Sequence, residues 1–367
     1  VTLADRAGAQ PAPDPAAAME AVERLLAARL ERLAQEWSVG ASEDPVLGGH
    51  DLPRLLADLV LGGGKRLRPL LCHWGWVAAG GATRDEDPGI PVRLGAALEL
   101  LHAFGLVQDD VMDASVTRRG RPAVHVAAAA RHRAVGAFDD ATRYGESVAV
   151  LVGDLAHAEA DALVGGLAPA VRHLWWRTSV ELVRGQARDL SGAALGGGAD
   201  PVALAWEVAR AKSGAYTVQR PVELGAVAAE APPEASGVLT AFGRTLGEVF
   251  ALRDDLLGVF GDPARTGKPV GDDLRSGKPT VLLAWTEQRC ADEAAAAVRR
   301  LRTHTHDESD VDRVVTAMIG SGVRAEAEER VRRGHAAAVA LLASPALDRD
   351  GAAGLREVAD LVAWRDR

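Results

Sequence analysis

The sequence predicts an all-α protein. Apolar residues recur at three- and four-residue intervals along most of the chain, alanine is abundant, and aromatic residues are only 4% of the 367. No segment alternates β-branched and polar residues over the length of a strand, so no sheet is expected. Residues 17–37 set Met19, Val22, Leu25, Leu26, Leu30 and Leu33 on one stripe with charges between them. Residues 91–113 are mostly apolar and too long for a strand, which makes them a buried helix. Residues 146–166, 172–190, 202–229, 236–260, 278–300, 308–319 and 322–344 also read as helices, separated by Gly, Pro and Asp clusters.

The loops at 196–198, 232–233 and 261–263 break helices without a linker, so residues 19–367 read as a single domain. Residues 1–18, with Pro11, Pro13, Pro15 and an alanine run, read as a disordered tail that lacks the pattern of a signal peptide. No apolar run is judged long enough to span a bilayer. Cys72 and Cys290 lie far apart without ligand or redox spacing and read as reduced thiols, which places the protein in the cytoplasm. The net charge of −9 argues against non-specific nucleic-acid binding, which needs a basic surface.

Chemistry is concentrated at residues 108–113, Gln-Asp-Asp-Val-Met-Asp, followed closely by Thr117, Arg118 and Arg119. On a helix Asp109 and Asp113 share a face, and Asp110 lies about 100° round the axis. Carboxylates gathered on a buried face need a cation, and magnesium, which takes oxygen ligands and keeps waters for phosphates, supplies one. An Asp-rich helix N-terminus is the plainer alternative. Downstream, Phe250 to Gly258 repeats the arrangement of an apolar helical run with paired Asp254 and Asp255. Upstream, the glycines at 62–64 precede Lys65, Arg66 and Arg68, a backbone that can approach an anion followed by cations to meet it. Alternating carboxylates and cations suit a bound diphosphate, or two.

These motifs resemble those of the trans-isoprenyl diphosphate synthase family, the polyprenyl synthetases that include farnesyl and geranylgeranyl diphosphate synthases, from about residue 48 to the C-terminus. The resemblance rests on residues 64–69 (GKRLRP), 109–113 (DDVMD), 117–120 (TRRG), Gly185-Gln186 with Asp189, Lys212-Ser213, Arg253-Asp254-Asp255, Gly267-Lys268 and 271–273 (GDD). It implies the isoprenoid synthase fold, long helices around a central cavity, and condensation of isopentenyl diphosphate with an allylic diphosphate. The family's reaction separates charge as the allylic diphosphate leaves, and that diphosphate is itself the expected acceptor of the final proton.

By the same resemblance Asp109 and Asp113 hold two Mg2+ ions and Asp254 a third, while Arg118, Lys212 and Lys268 clamp the allylic diphosphate. Gln186, Asp189 and Ser213 help position Lys212 and the allylic substrate, and Lys278 gives electrostatic support. Lys65, Arg68, His102 and Arg119 hold isopentenyl diphosphate. Asp110 and Asp255 are either ligands or partners behind the ligands. Asp154 is expected to be a buried packing carboxylate, and the tryptophans to serve core or interface. Gly258 stands where many members carry a third Asp, and Ala251 where many carry Gln, which weakens support around Asp254. Chain length falls to Gly105 and Phe104, the fourth and fifth residues before Asp109, roughly 6 to 7.5 Å along the helix. One aromatic at the fifth position and a small residue at the fourth resemble geranylgeranyl synthases, which make a twenty-carbon product. The family also implies a homodimer. A class I terpene synthase on this scaffold, or a silent subunit of a heteromeric synthase, are the alternatives; Lys65, Arg68 and Arg119 disfavour the first, and the retained Asp109, Asp113 and Asp254 the second.

Overall fold

Recurrent aspartate caps set the helix starts. The computed structural model describes residues 14–39, 43–82, 87, 89–194, 200–262, 271–290 and 293–365. Asp14 accepts from Ala16 N at 2.9 Å and starts α1 (Pro15–Ser38), and Asp51 accepts from Arg54 N to start α2 (Leu52–Leu61). Because the cap and Pro15 fix this start, residues 15–18 are helical rather than part of the expected tail. Residues 1–13 lie outside the described residues.

Then follow α3 (Leu67–Ala78), α4 (Gly89–Met112), α5 (Val124–Ala134), α6 (Ala141–Val164), α7 (Pro169–Ala194) and α8 (Pro201–Val208). A π-helix (Ala209–Gln219) runs directly into α9 (Arg220–Ala228), so the helix expected over 202–229 changes its winding in the middle. The chain continues as α10 (Pro233–Phe260), α11 (Asp272–Arg275), α12 (Val281–Arg289), α13 (Glu293–Arg302), α14 (Glu308–Gly320), α15 (Val323–Leu341) and α16 (Arg349–Trp364). The helix expected over 278–300 is broken at Cys290, whose ψ of 136° is extended. Helices α2, α3, α5, α11 and α16 fall outside the segments expected to be helical; α3 is buried on nearly every side and so shows no amphipathic stripe.

The described residues contain one small exception to the all-α expectation. Thr117–Arg118 (β1) pairs antiparallel with Arg121–Pro122 (β2). Arg119 at φ 53° and Gly120 at φ 73° make the connecting turn, the left-handed pair that a two-residue hairpin requires. This hairpin presents Arg118 and Arg119 in different directions.

Packing contacts link α4 to α6, α6 to α7, α7 to the π-helix, the π-helix to α9 and α9 back to α4, closing a ring around the site. Helix α3 backs this ring against α9, and α10 supports the π-helix from outside. Helix α4 corrects the expectation about membrane length: its 24 residues, with mean hydropathy 1.5 in the most apolar window, are long and apolar enough to cross a bilayer. It is a core helix, with Leu94, Ala97, Leu98, Leu100 and Leu101 fully buried.

The same helix buries Glu99, which holds the polar joint of this core. Arg66, between α2 and α3, donates to Glu99, to Glu23 of α1 at 2.5 Å and to the Val60 carbonyl of α2 at 2.7 Å. One guanidinium therefore ties four helices. Arg66→Met should destabilise the protein by about 3–5 kcal/mol, because it leaves the Glu99 carboxylate buried without a partner. Urea unfolding measures this; Arg66→Met with Glu99→Leu should recover much of the loss, and a single-variant cost below about 1 kcal/mol would show that the pair is not what holds the joint.

Candidate active site

The acidic motif lies at the C-terminal end of α4, not at a helix N-terminus, so the helix dipole opposes its negative charge. Cations must come from elsewhere, and two arrive. Asp110, 3% exposed, accepts from Arg118 Nε at 2.9 Å and also from the same guanidinium's Nη2. Arg118, which the resemblance implies as a diphosphate clamp, pairs here with Asp110 through Nε and Nη2, which makes Asp110 a buried ion-pair partner. Asp109 points elsewhere. Lys212 Nζ donates to Asp109 Oδ1 at 2.7 Å and to Asp189 Oδ2 at 2.6 Å.

Burial raises the Asp109 carboxyl, but Lys212 and Lys278, with the hydrogen bond from Lys212, outweigh it and hold the group below its ordinary value. Burial and the neighbouring Asp109 carboxylate push Asp113 the other way. Asp113 lies just past α4, its N–H donating to the Asp109 carbonyl at 2.8 Å. The charge of Lys278 acts to lower both Asp109 and Asp113.

Glycines seat the π-helix that carries Lys212. A Cβ on Gly185 of α7 would lie 3.0 Å from the Lys212 nitrogen, and one on Gly214 would lie 2.6 Å from the Gly247 carbonyl of α10. The wide π turn is clasped between two helices that only glycine lets this close. Ser213 sits half-buried beside Lys212, and Gln186 Nε2 donates to Met112 Sδ at 3.3 Å. Asp189 positions Lys212 directly, as its expected role requires.

A second cluster gathers about two turns earlier along α4, around His102, which lies seven residues before Asp109 and so on nearly the same face. Arg68 Nη2 donates to Thr217 Oγ1 at 2.8 Å, and its guanidinium stacks over Tyr216, 4.5 Å from the ring centroid. Arg119 donates to the backbone carbonyls of Leu59 and Gly63. Among the described residues neither Arg68 nor Arg119 has a carboxylate partner. Burial, then the charges of Arg68, Arg119, Arg118 and Arg66, hold His102 well below its usual range, so its imidazole is neutral. Burial lowers Arg119 as well; the charge of Glu99 opposes this, but Arg66, Arg118 and Arg68 add to it and the net shift is downward. Arg68 Nε and the Tyr216 hydroxyl are buried without hydrogen-bond partners. This is a concentration of donors facing one another, which suits an anion. Lys65 is exposed in the adjoining loop.

Asp254 stands on α10, apart from the α4 carboxylates. Arg365 Nη2 donates to Asp254 Oδ1 at 2.8 Å, its guanidinium stacks 4.1 Å from the Phe250 centroid, and its carbonyl accepts from Arg253 at 2.6 and 2.9 Å. Asp255 accepts from Val281 N at 3.1 Å and so anchors the start of α12. Lys268 and the side chains of Asp272 and Asp273 lie outside the described residues. Ala251 is buried and Gly258 half-buried on α10. Asp154 is exposed, not buried as expected, and Trp176 is 59% exposed while Trp74, Trp76 and Trp175 are core.

The sequence reading missed Arg365, Tyr216 and Thr217. Tyr216 and Thr217 follow Lys212 in a segment expected to be an ordinary helix, and its π winding, with i→i+5 hydrogen bonds, changes which residues share a face. Arg365 lies far along the chain from Asp254, and no local motif connects them.

A family model described as Polyprenyl synthetase matches residues 50–318. A geranylgeranyl diphosphate synthase of Mycobacterium tuberculosis is 34% identical over 300 residues, covering 77% of this chain and 77% of that protein. A geranylfarnesyl diphosphate synthase of Aeropyrum pernix is 32% identical over 291 residues, 75% of this chain and 81% of that protein. Among solved structures, the geranylgeranyl pyrophosphate synthase of Corynebacterium glutamicum, complexed with isoprenyl diphosphate and magnesium, superposes with a TM-score of 0.87 at 36% identity, covering 96% of this chain and 99% of that one. The protein has the isoprenoid synthase fold, and the chain belongs to the polyprenyl synthetase family of trans-prenyltransferases.

Proposed function

We propose that this protein condenses isopentenyl diphosphate with dimethylallyl, geranyl or farnesyl diphosphate and releases geranylgeranyl diphosphate as its principal product. The observation that carries the two-substrate reading is the pair of separate charged clusters, about two turns apart along α4. At its C-terminal end Asp109, Asp113, Lys212 and Lys278 serve the diphosphate that leaves. Arg68 and Arg119 around His102, with Lys65 in the loop, serve the diphosphate that stays. The partnerless Arg68 Nε and Tyr216 hydroxyl are donors that phosphate oxygens would satisfy.

The donor set fits magnesium. Asp109, Asp113 and Asp254 offer only carboxylate oxygens, and Asp109 and Asp254 already draw a cationic side chain, Lys212 or Arg365. Magnesium takes one or two carboxylates and completes its shell with water and substrate phosphate. Asp109 and Asp113 would hold two ions and Asp254 a third. When bound they supply charge stabilisation for the departing diphosphate. Lys212, fixed by Asp189, keeps its ammonium aimed at the same place whether or not Asp109 is otherwise engaged, so it needs no reorganisation as charge develops.

Diphosphate release from one allylic substrate, measured with and without isopentenyl diphosphate, tests this reading. Release only when both are present is expected; release from the allylic substrate alone would indicate a cyclising enzyme, and none under either condition a silent subunit. Asp109→Ala and Asp113→Ala should lower turnover by several orders of magnitude with an unchanged circular-dichroism spectrum, while Lys65→Ala and Arg68→Ala should mainly raise KM for isopentenyl diphosphate. Near-normal turnover in either aspartate variant, or an equal KM rise for the allylic substrate, would overturn the two assignments respectively.

Product length rests on Gly105. A Cβ there would meet only Leu182 of α7, at 3.9 Å, so the glycine leaves room beside α4. Gly105→Phe should shorten the principal product by at least one five-carbon unit, read by chromatography of the dephosphorylated alcohols. An unmoved distribution would place the end of the tail path elsewhere.

A homodimer is supported by an unpartnered stripe on α7. Trp176, Val180, Val183 and Leu190 are 59, 45, 55 and 44% exposed, and they recur at helical spacing beside the exposed Val150 and Leu151 of α6. Val183→Asp should shift the mass measured by light scattering toward one chain; an unchanged dimer would remove this face from the interface. The two free cysteines, one of them buried, support the cytoplasmic location.

A further inference from the structure

Phe104 and Gly105 are neighbours on α4 but address different helices. Gly105 looks toward Leu182 of α7. Phe104 turns toward α6, where its ring lies 4.9 Å from the His157 ring, with 30° between the planes. One turn earlier on α6 is Gly153, where a Cβ would lie 3.6 Å from Phe104 Cδ2. The phenyl ring therefore rests over a glycine and is held at its side by the imidazole. His157 has no other specific partner among the described residues: it makes no hydrogen bond or ion pair, and Phe104 is its only ring contact.

Beyond His157, between α6 and α7, is a cleft of about 200 Å3 lined by His157, Asp161, Trp175 and Ser179 among others. Trp175 Nε1 donates to Asp161 Oδ1 at 2.7 Å and ties the two helices there, while the Ser179 hydroxyl is buried without a partner. His157 thus belongs to two surfaces at once. Its face toward α4 supports Phe104, and its other side borders the cleft.

We propose that His157 is a positioning residue for product length: its imidazole braces Phe104 and keeps the ring, and the growing tail beside it, out of the cleft between α6 and α7. This rests on the reading that the tail runs past Phe104 and Gly105. Without the imidazole the phenyl ring can rotate about χ1 toward the cleft, since Gly153, the α6 residue one turn earlier, offers no side chain to hold it. The tail path would then deepen by roughly the space the ring leaves.

Product distributions of the parent, His157→Ala, His157→Phe, Phe104→Ala and the Phe104→Ala/His157→Ala double variant test the brace, with farnesyl diphosphate and excess isopentenyl diphosphate as substrates. His157→Ala should lengthen the principal product by at least one five-carbon unit. His157→Phe, which keeps an aromatic ring against Phe104, should retain the parent length. The double variant should go no further than Phe104→Ala alone, because the histidine acts only through that ring. An unmoved distribution in His157→Ala, or a double variant longer than Phe104→Ala, would overturn the proposal. If His157→Ala does not give the parent circular-dichroism spectrum, His157→Ser carries the same comparison. Gly105→Phe separates the two failures: if it shifts length while His157→Ala does not, the brace alone is wrong, and if His157→Ala shifts length while Gly105→Phe does not, the assignment of Gly105 is wrong and the brace stands.

Discussion

Negative charge gathered at the wrong end of a helix organises the site. Asp109, Asp110 and Asp113 crowd the C-terminus of α4, where the last carbonyls already present negative potential. Each carboxylate there needs a counter-charge, and the neighbouring elements supply them from different directions. Arg118 arrives on a two-residue hairpin, Lys212 on a π-helix, and Lys278 from the segment before α12. A site so arranged concentrates positive charge around an acidic end without satisfying it fully, which is the condition for recruiting a hard cation together with a phosphate.

The arginines divide by environment rather than by position in the motif. Arg66 and Arg68 are two residues apart, yet Arg66 is locked to Glu99 and Glu23 while Arg68 has a hydroxyl and an aromatic ring for company. Arg118 and Arg119 are adjacent, and one is spent on Asp110 while the other touches only carbonyls. The left-handed turn at Arg119 and Gly120 separates that second pair by sending consecutive side chains to different places. In each case the residue without an acidic partner is the one whose charge acts more strongly on His102, so the carboxylate-free guanidinia collect around that residue of α4.

Close backbone approach is the other constraint. Gly185, Gly214 and Gly247 let α7, the π-helix and α10 meet with almost no side chain between them. This packing accommodates the irregular winding that directs Lys212, Tyr216 and Thr217 toward their respective partners. The same economy of side chains operates at Gly153, where the absence of a Cβ makes room for Gln108 and Phe104 of α4. Glycine in this protein therefore shapes the site by what it permits its neighbours to do.

The sequence alone determined the helical class, because three-to-four-residue periodicity is a local property of each segment. It also determined which residues carry charge and which glycines precede them, hence Asp109, Asp113, Asp254, Lys212, Arg68, Arg119 and His102 as candidates by their likeness to a known family. Helix ends without Gly or Pro, as at Cys290, left no local mark, and the all-round burial of α3 removed the stripe that would have shown it. Tertiary structure decided what each charge is paired with. Nothing within a few residues distinguishes Arg66 from Arg68, or Arg118 from Arg119, since their partners lie on other helices. Nor could the sequence bring Arg365 to Asp254 or His157 to Phe104, contacts that arise only when distant helices pack and burial forces each polar or aromatic group to find a neighbour.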